Sequence, residues 1–139
     1  MIAFLLLSIG LIGYSALQVR AVKATQSSMQ RTDTSILAGN IIEAMRANKS
    51  AAVHPSHPYN LGARTCSLPS TDGSLVQNDL NAWFASLQSA LGSASTCADI
   101  TCSDSASAVP GLCTVNIYWD DSRALGGSSS QSVQFVGRL

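Results

Sequence analysis

The chain has 139 residues, 46% of them hydrophobic and only 12% charged, with a formal net charge of zero. With much of its length consumed by one long helical pattern, that leaves room for one modest globular core and not two. Balanced, sparse charge gives no electrostatic reason to expect nucleic acid or an acidic polymer as partner.

From Met1 the sequence runs MIAFLLLSIGLIGYSALQV with no charge before Arg20. At a 1.5 Å rise per residue, the helix to Leu17 spans roughly 25 Å, slightly short of a bilayer core. Phe4, Leu5, Leu6, Leu7, Ile9, Leu11, Ile12 and Leu17 supply its apolar surface, and Gly10 and Gly13 permit close helix packing. A cleaved signal peptide should carry a basic region in front and a small-residue cleavage site behind; here apolar residues follow Met1 at once and helix-compatible sequence continues past Ala16. Residues 1–19 are therefore read as a membrane anchor. The positive charges Arg20, Lys23 and Arg31 all follow the stem, and the positive-inside rule alone would place the rest of the chain in the cytoplasm. A precursor that begins upstream of Met1, with a basic leader and a few more apolar residues, is expected on this ground.

Residues 20–48 continue the helix, with Ile36, Leu37, Ile41, Ala44 and Met45 forming an apolar face for a globular head. AVKATQSSMQRTDTS, between stem and face, is helix-compatible but has a poor apolar stripe. Asn48, Ser50, His54-Pro55 and His57-Pro58 end the helix, and a loop through Cys66 and Asp72-Gly73 is expected to follow. Asn78 or Asp79 can cap a second helix in which Leu80, Trp83, Phe84, Leu87 and Leu91 share one face and Gly92 provides the stop. Alternation marks strands at Cys113–Trp119 and Ser132–Leu139 around a flexible hairpin loop, DDSRALGGSSSQ; a further strand near Ala98–Cys102 has only weak support.

Cys66, Cys97, Cys102 and Cys113 all lie outside the apolar segment, and an even count in a small Ser- and Gly-rich domain points to disulfides in an oxidising compartment. Zinc is the rival reading, but only Cys97 and Cys102 form a short pair. Three pairings are open to four cysteines. Cys66 with Cys97 and Cys102 with Cys113 is preferred, because the second pair ties a short loop to the strand that follows it.

No catalytic, metal or cofactor constellation stands out. His54 and His57 both precede prolines in a loop without a nearby carboxylate, and read as a solvated turn. Asp120 and Asp121, as neighbours along a strand, point to opposite faces and read as the end of the strand and the start of a turn. The serines lack a G-x-S-x-G elbow. Glu43, the only glutamate, is placed to pair with Arg46 one turn on, and Trp83, Phe84 and Trp119 read as core.

The order of stem, amphipathic helix, loop, short helix and antiparallel strands resembles the type IV pilins and pseudopilins. AFLLLSIGLIGYSALQ at 3–18, IIEAMRANKS at 41–50 and CTVNIYWDDSR at 113–123 resemble, more closely, the minor pilins known as type IV pilus modification proteins, or PilV. That resemblance implies an α+β fold: a long N-terminal helix packed on a small antiparallel head, with residues 49–139 as the head. It also implies a non-enzymatic protein without cofactor, single-pass in the bacterial inner membrane with a periplasmic head. The helix would later contact other minor pilins and the major pilin in a pilus tip complex. A minor pseudopilin of a type II secretion system shares these features, and a membrane-tethered periplasmic binding or adhesion module is the alternative of another class. The family's basic leader, cleavage-site glycine and early phenylalanine and glutamate have no counterpart in this sequence. Processing by a prepilin peptidase is therefore implied by the resemblance alone.

Overall fold

A computed structural model describes residues 2–67, 72–92, 95–124 and 126–139; Met1 and the side chains of Leu5 and Leu6 lie outside the described residues. Helix α1 runs without interruption over Ile2–Ala47, which at 1.5 Å per residue is about 70 Å. The chain continues through a single turn, α2 (Lys49–Ala52), strand β1 (Leu61–Thr65), helix α3 (Leu75–Leu91) and strands β2 (Cys97–Cys102), β3 (Leu112–Trp119) and β4 (Gln131–Arg138). The strands form one antiparallel sheet in the order β1-β2-β3-β4.

The buried stripe of α1 is Thr34, Ala38, Ile41, Ile42 and Met45, spaced by three and four residues as one helical face requires. Ile36, read from the sequence as part of this face, points outward, because two residues from Thr34 is more than half a turn. Its place is taken by a threonine whose hydroxyl donates to the Gln30 carbonyl at 2.5 Å and so is buried without an unmet polar group.

The cap of helix α3 lies four residues before Asn78. Ser74 is its cap, accepting from the Gln77 N–H at 3.2 Å, while Asp72 accepts from the Ser74 N–H at 2.8 Å. Asp79 is engaged elsewhere, by the Tyr59 hydroxyl. Gly92 ends the helix in the left-handed conformation with its N–H on the Gln88 carbonyl. Val76, Leu80, Trp83, Phe84, Leu87 and Leu91 are buried, and the Trp83 indole donates to the Leu37 carbonyl of α1 at 2.9 Å, tying the two helices together.

Cys113, Val115, Ile117 and Trp119 form the inner face of β3, opposite Gly137, Phe135, Val133 and Gln131 of β4. Strand β1 takes up Leu61–Thr65, the first part of the loop expected after Pro58, while Cys66 and Asp72-Gly73 lie outside the strands as expected. Its pairing with β2 shifts register between Leu61 and Thr65, and Arg64 sits at φ 50°, so no alternation survives in LGART to announce a strand. The weakly supported strand at 98–102 is a full central strand. Ala98, Ile100 and Cys102 face the core, and Asp99 outside accepts from Asn116 and Tyr118 at 2.6 and 2.8 Å.

The core joins α1, α3 and the inner sheet face in one cluster. Where β4 crosses α1 the backbone comes so close that a Cβ on Gly137 would lie 2.9 Å from Ile42 Cδ1. Gly137→Val should therefore lower the unfolding free energy by about 1–3 kcal/mol. In chemical denaturation of the chain in detergent, Ile42→Ala should cost less in the Gly137→Val background than alone; additive losses would show that the two positions do not compete for space.

Candidate assembly surface and the joints that hold it

The candidate functional feature of this molecule is the half of α1 that the head leaves bare. Ile2, Phe4, Leu7, Ile9, Leu11, Ile12, Tyr14, Leu17, Val19 and Val22 are each more than half exposed. A Cβ built on Gly10 or Gly13 meets nothing within 4 Å. Ser8 and Ser15, the polar interruptions on this surface, return their hydroxyls to the Phe4 and Leu11 carbonyls at 2.7 and 2.9 Å, so they add little unmet polarity. By length and composition this helix can cross a membrane, and none of its most apolar stretch is buried in the head. So large a contiguous apolar surface calls for a non-aqueous surrounding or for other helices.

Two joints hold the head to the rest of α1, and two disulfides brace the head itself. Nearest the stem, the Ser27 hydroxyl donates to buried Asp121 at 2.6 Å, and the Gln30 side-chain amide donates to the Leu91 carbonyl at 3.3 Å. The loop read as a flexible hairpin is therefore docked at its start. Asp120, its neighbour, stays exposed and accepts from the Ser122 N–H at 2.8 Å, a bond that holds its carboxyl below the usual range. Gly127 closes the same loop: a Cβ there would lie 1.7 Å from the Asp121 carbonyl oxygen, so no other residue fits. No signal in the sequence marked Ser27 as a contact, since a serine in a polar helical stretch has no apolar period to betray it.

At the far end, Arg46 pairs with Glu43 and also donates to the Arg138 carbonyl from Nε and Nη2, at 3.1 and 2.8 Å. The second of these roles, a clasp from α1 to the last strand, was not legible from the Glu43 spacing. Beside it, Tyr59 is fully buried and bridges the end of α1 to α3, donating to Asp79 at 2.6 Å and accepting from the Asn48 side-chain amide at 3.2 Å.

The braces within the head are covalent. Cys66 is bonded to Cys97 and Cys102 to Cys113, the second pair lying directly across β2 and β3. Both cysteines of the second bond are buried, whereas Cys66 is exposed at the end of β1.

His54 closes a local turn by accepting from the Ser56 N–H at 3.2 Å. A polar cleft of about 320 Å³ opens between α1, the end of α3 and the Asp120–Ala124 loop. Among the described residues, no three His, Cys, Asp or Glu side chains gather as metal ligands there or elsewhere.

Burial first, then the bond to the Asp79 carboxylate, pushes the Tyr59 phenol up to about 12 from an ordinary value of 10. The folded state thus holds this proton more tightly than the unfolded chain. The resulting stability is complete below pH 10 and is lost as pH climbs towards 12. Tyr59→Phe should shallow this alkaline loss without abolishing it, because Asp99 raises Tyr118 in the same direction; an unchanged alkaline slope would refute the assignment. Under graded reductant, alkylation and mass spectrometry should find Cys66 and Cys97 modified before Cys102 and Cys113. On chain-entropy grounds, losing the first bond should cost about 4 kcal/mol and the shorter second loop about 3 kcal/mol.

Residues 16–72 match the family model described as Tt1218-like, type IV pilin Tt1218. The matched stretch covers the end of the bare stem, the head-packed half of α1, α2 and β1. No curated protein and no solved structure matches the chain. The architecture, a long N-terminal helix with a second helix and a four-stranded antiparallel sheet, is consistent with a type IV pilin fold, and the matched stretch, less than half of the chain, is similar to a family whose members are structural and in general non-enzymatic.

Proposed function

We propose that this chain is a non-enzymatic minor pilin of the type IV pilus modification kind, acting in a tip or priming complex with other minor pilins and with the major pilin. The observation that carries the reading is the continuity of α1: one helix presents a bare apolar half and a half packed on a disulfide-bonded head. In this reading the stem first sits in the bacterial inner membrane with the head in the periplasm. It then exchanges lipid for the stems of neighbouring subunits in the core of the pilus. The exchange never leaves the apolar surface in water, and close helix packing at Gly10 and Gly13 replaces lipid contact.

Fractionation tests this. Pili sheared from cells should carry the protein in amounts far below the major subunit, and a deletion strain should assemble fewer pili, with weaker pilus-dependent adhesion and twitching motility. A protein that stays wholly with membranes, in cells whose pili assemble normally without it, would sink the proposal and favour the membrane-tethered periplasmic module. Loss of type II secretion with intact pili would point instead to a minor pseudopilin.

A further inference from the structure

Between the stem and the head lies a short length of α1 that neither apolar packing nor the head explains. Counting from Ile2, the first charges are Arg20 and Lys23, and no aspartate or glutamate occurs before Asp33. Both cations are exposed. Among the described residues the single ion pair is Arg46 with Glu43, at the other end of the head, so Arg20 and Lys23 have no anionic partner there. Arg31, the next cation, is already at the level of the head, with its guanidinium 3.5 Å from the Gln131 side-chain oxygen.

Among the described residues, the first hydrogen bond from α1 to the head is that of Ser27 to Asp121. Seven residues separate Arg20 from Ser27, about 10 Å of helix axis at 1.5 Å per residue. The interfacial zone on each side of a bilayer's hydrocarbon core is roughly 5–8 Å deep. When the uncharged segment up to Val19 fills the hydrocarbon, Arg20 and Lys23 fall within that zone and the underside of the head clears it. Long cationic side chains at this depth extend along the helix towards phosphates.

We propose that Arg20 and Lys23 form a collar that binds the headgroups of acidic phospholipids where the stem leaves the bilayer, fixing how deeply the stem is seated. The proposal rests on the stem being membrane-embedded before assembly. Zwitterionic headgroups offer phosphate but no net charge, so the collar selects anionic lipid, and among the described residues neither cation is taken up in an ion pair.

The test uses the full chain reconstituted into vesicles of phosphatidylcholine alone and of equimolar phosphatidylcholine and phosphatidylglycerol. Flotation reports anchoring, and spin-labelled lipids of each class report which lipid contacts the protein. The wild-type chain should float with both vesicles and take up labelled phosphatidylglycerol about fivefold over phosphatidylcholine at low salt, the preference expected from one basic residue at an anionic surface. Molar salt should erase most of that preference. The double variant R20Q/K23Q should float equally well with the preference gone, while R138Q, at the far end of the head, should keep it. Flotation with equal uptake of both lipids by the wild-type chain overturns the collar and leaves the anchoring reading standing. Failure to float with either vesicle overturns both.

Discussion

Everything in this molecule is arranged around a helix that must satisfy two solvents. Over its first half α1 has no protein to bury against, yet its side chains are those of a core. Over its second half it presents one stripe to a head and polar residues to water. A helix is the one element that can do this without interruption, because all its backbone groups are paired internally whatever surrounds it. At about 70 Å it also extends well beyond the head, which covers only its second half.

The head is built to grip that end. Ile41, Ile42 and Met45 enter the core between α3 and the sheet, and Gly137 lets β4 approach within contact of Ile42. Trp83 adds a hydrogen bond to the helix backbone. A core this small leaves the sheet weakly held, and the two disulfides brace it. Cys102–Cys113 locks β2 to β3, and Cys66–Cys97 ties the irregular edge strand β1 to its neighbour. Constraining the unfolded chain is an effective way to stabilise a domain with limited apolar area to bury.

How much of this the sequence disclosed follows from which residues carry a period. The stem is legible because its apolar run exceeds what a small soluble domain can cover. Strands β3 and β4 are legible because Val115, Ile117, Trp119, Val133 and Phe135 alternate with polar residues and because the sheet buries one face only. Strand β1 is illegible: a register shift and a residue with positive φ break the period within LGART. The start of α3 was misplaced because Asn78 and Asp79 are strong capping residues by type, yet Ser74 already has the Asp72-Gly73 turn before it and a free N–H three residues on. Asp121 was read as a turn residue; only the fold shows that the turn is docked on Ser27, 94 positions away in the chain.

The chemistry of the grip changes along α1. Far from the stem it is apolar and dense, and single deletions there cost several kcal/mol because they leave cavities. Near the stem it consists of polar contacts: Ser27 to Asp121, Gln30 to the Leu91 carbonyl, and Arg31 towards Gln131. Hydrogen bonds of this kind contribute about 1 kcal/mol each net, because water offers the same partners when they open. The poor apolar stripe of residues 20–33 is therefore more than a gap in the pattern. It leaves the lower margin of the head held by bonds that can be exchanged for water, for lipid headgroups or for a neighbouring subunit, while Ile41, Ile42 and Met45 keep the head fixed to the helix. In the proposed assembly, a stem that moves from lipid to the stems of neighbouring subunits needs that division. A rigid apolar seam running down to Arg20 would have to be kept dry in both places.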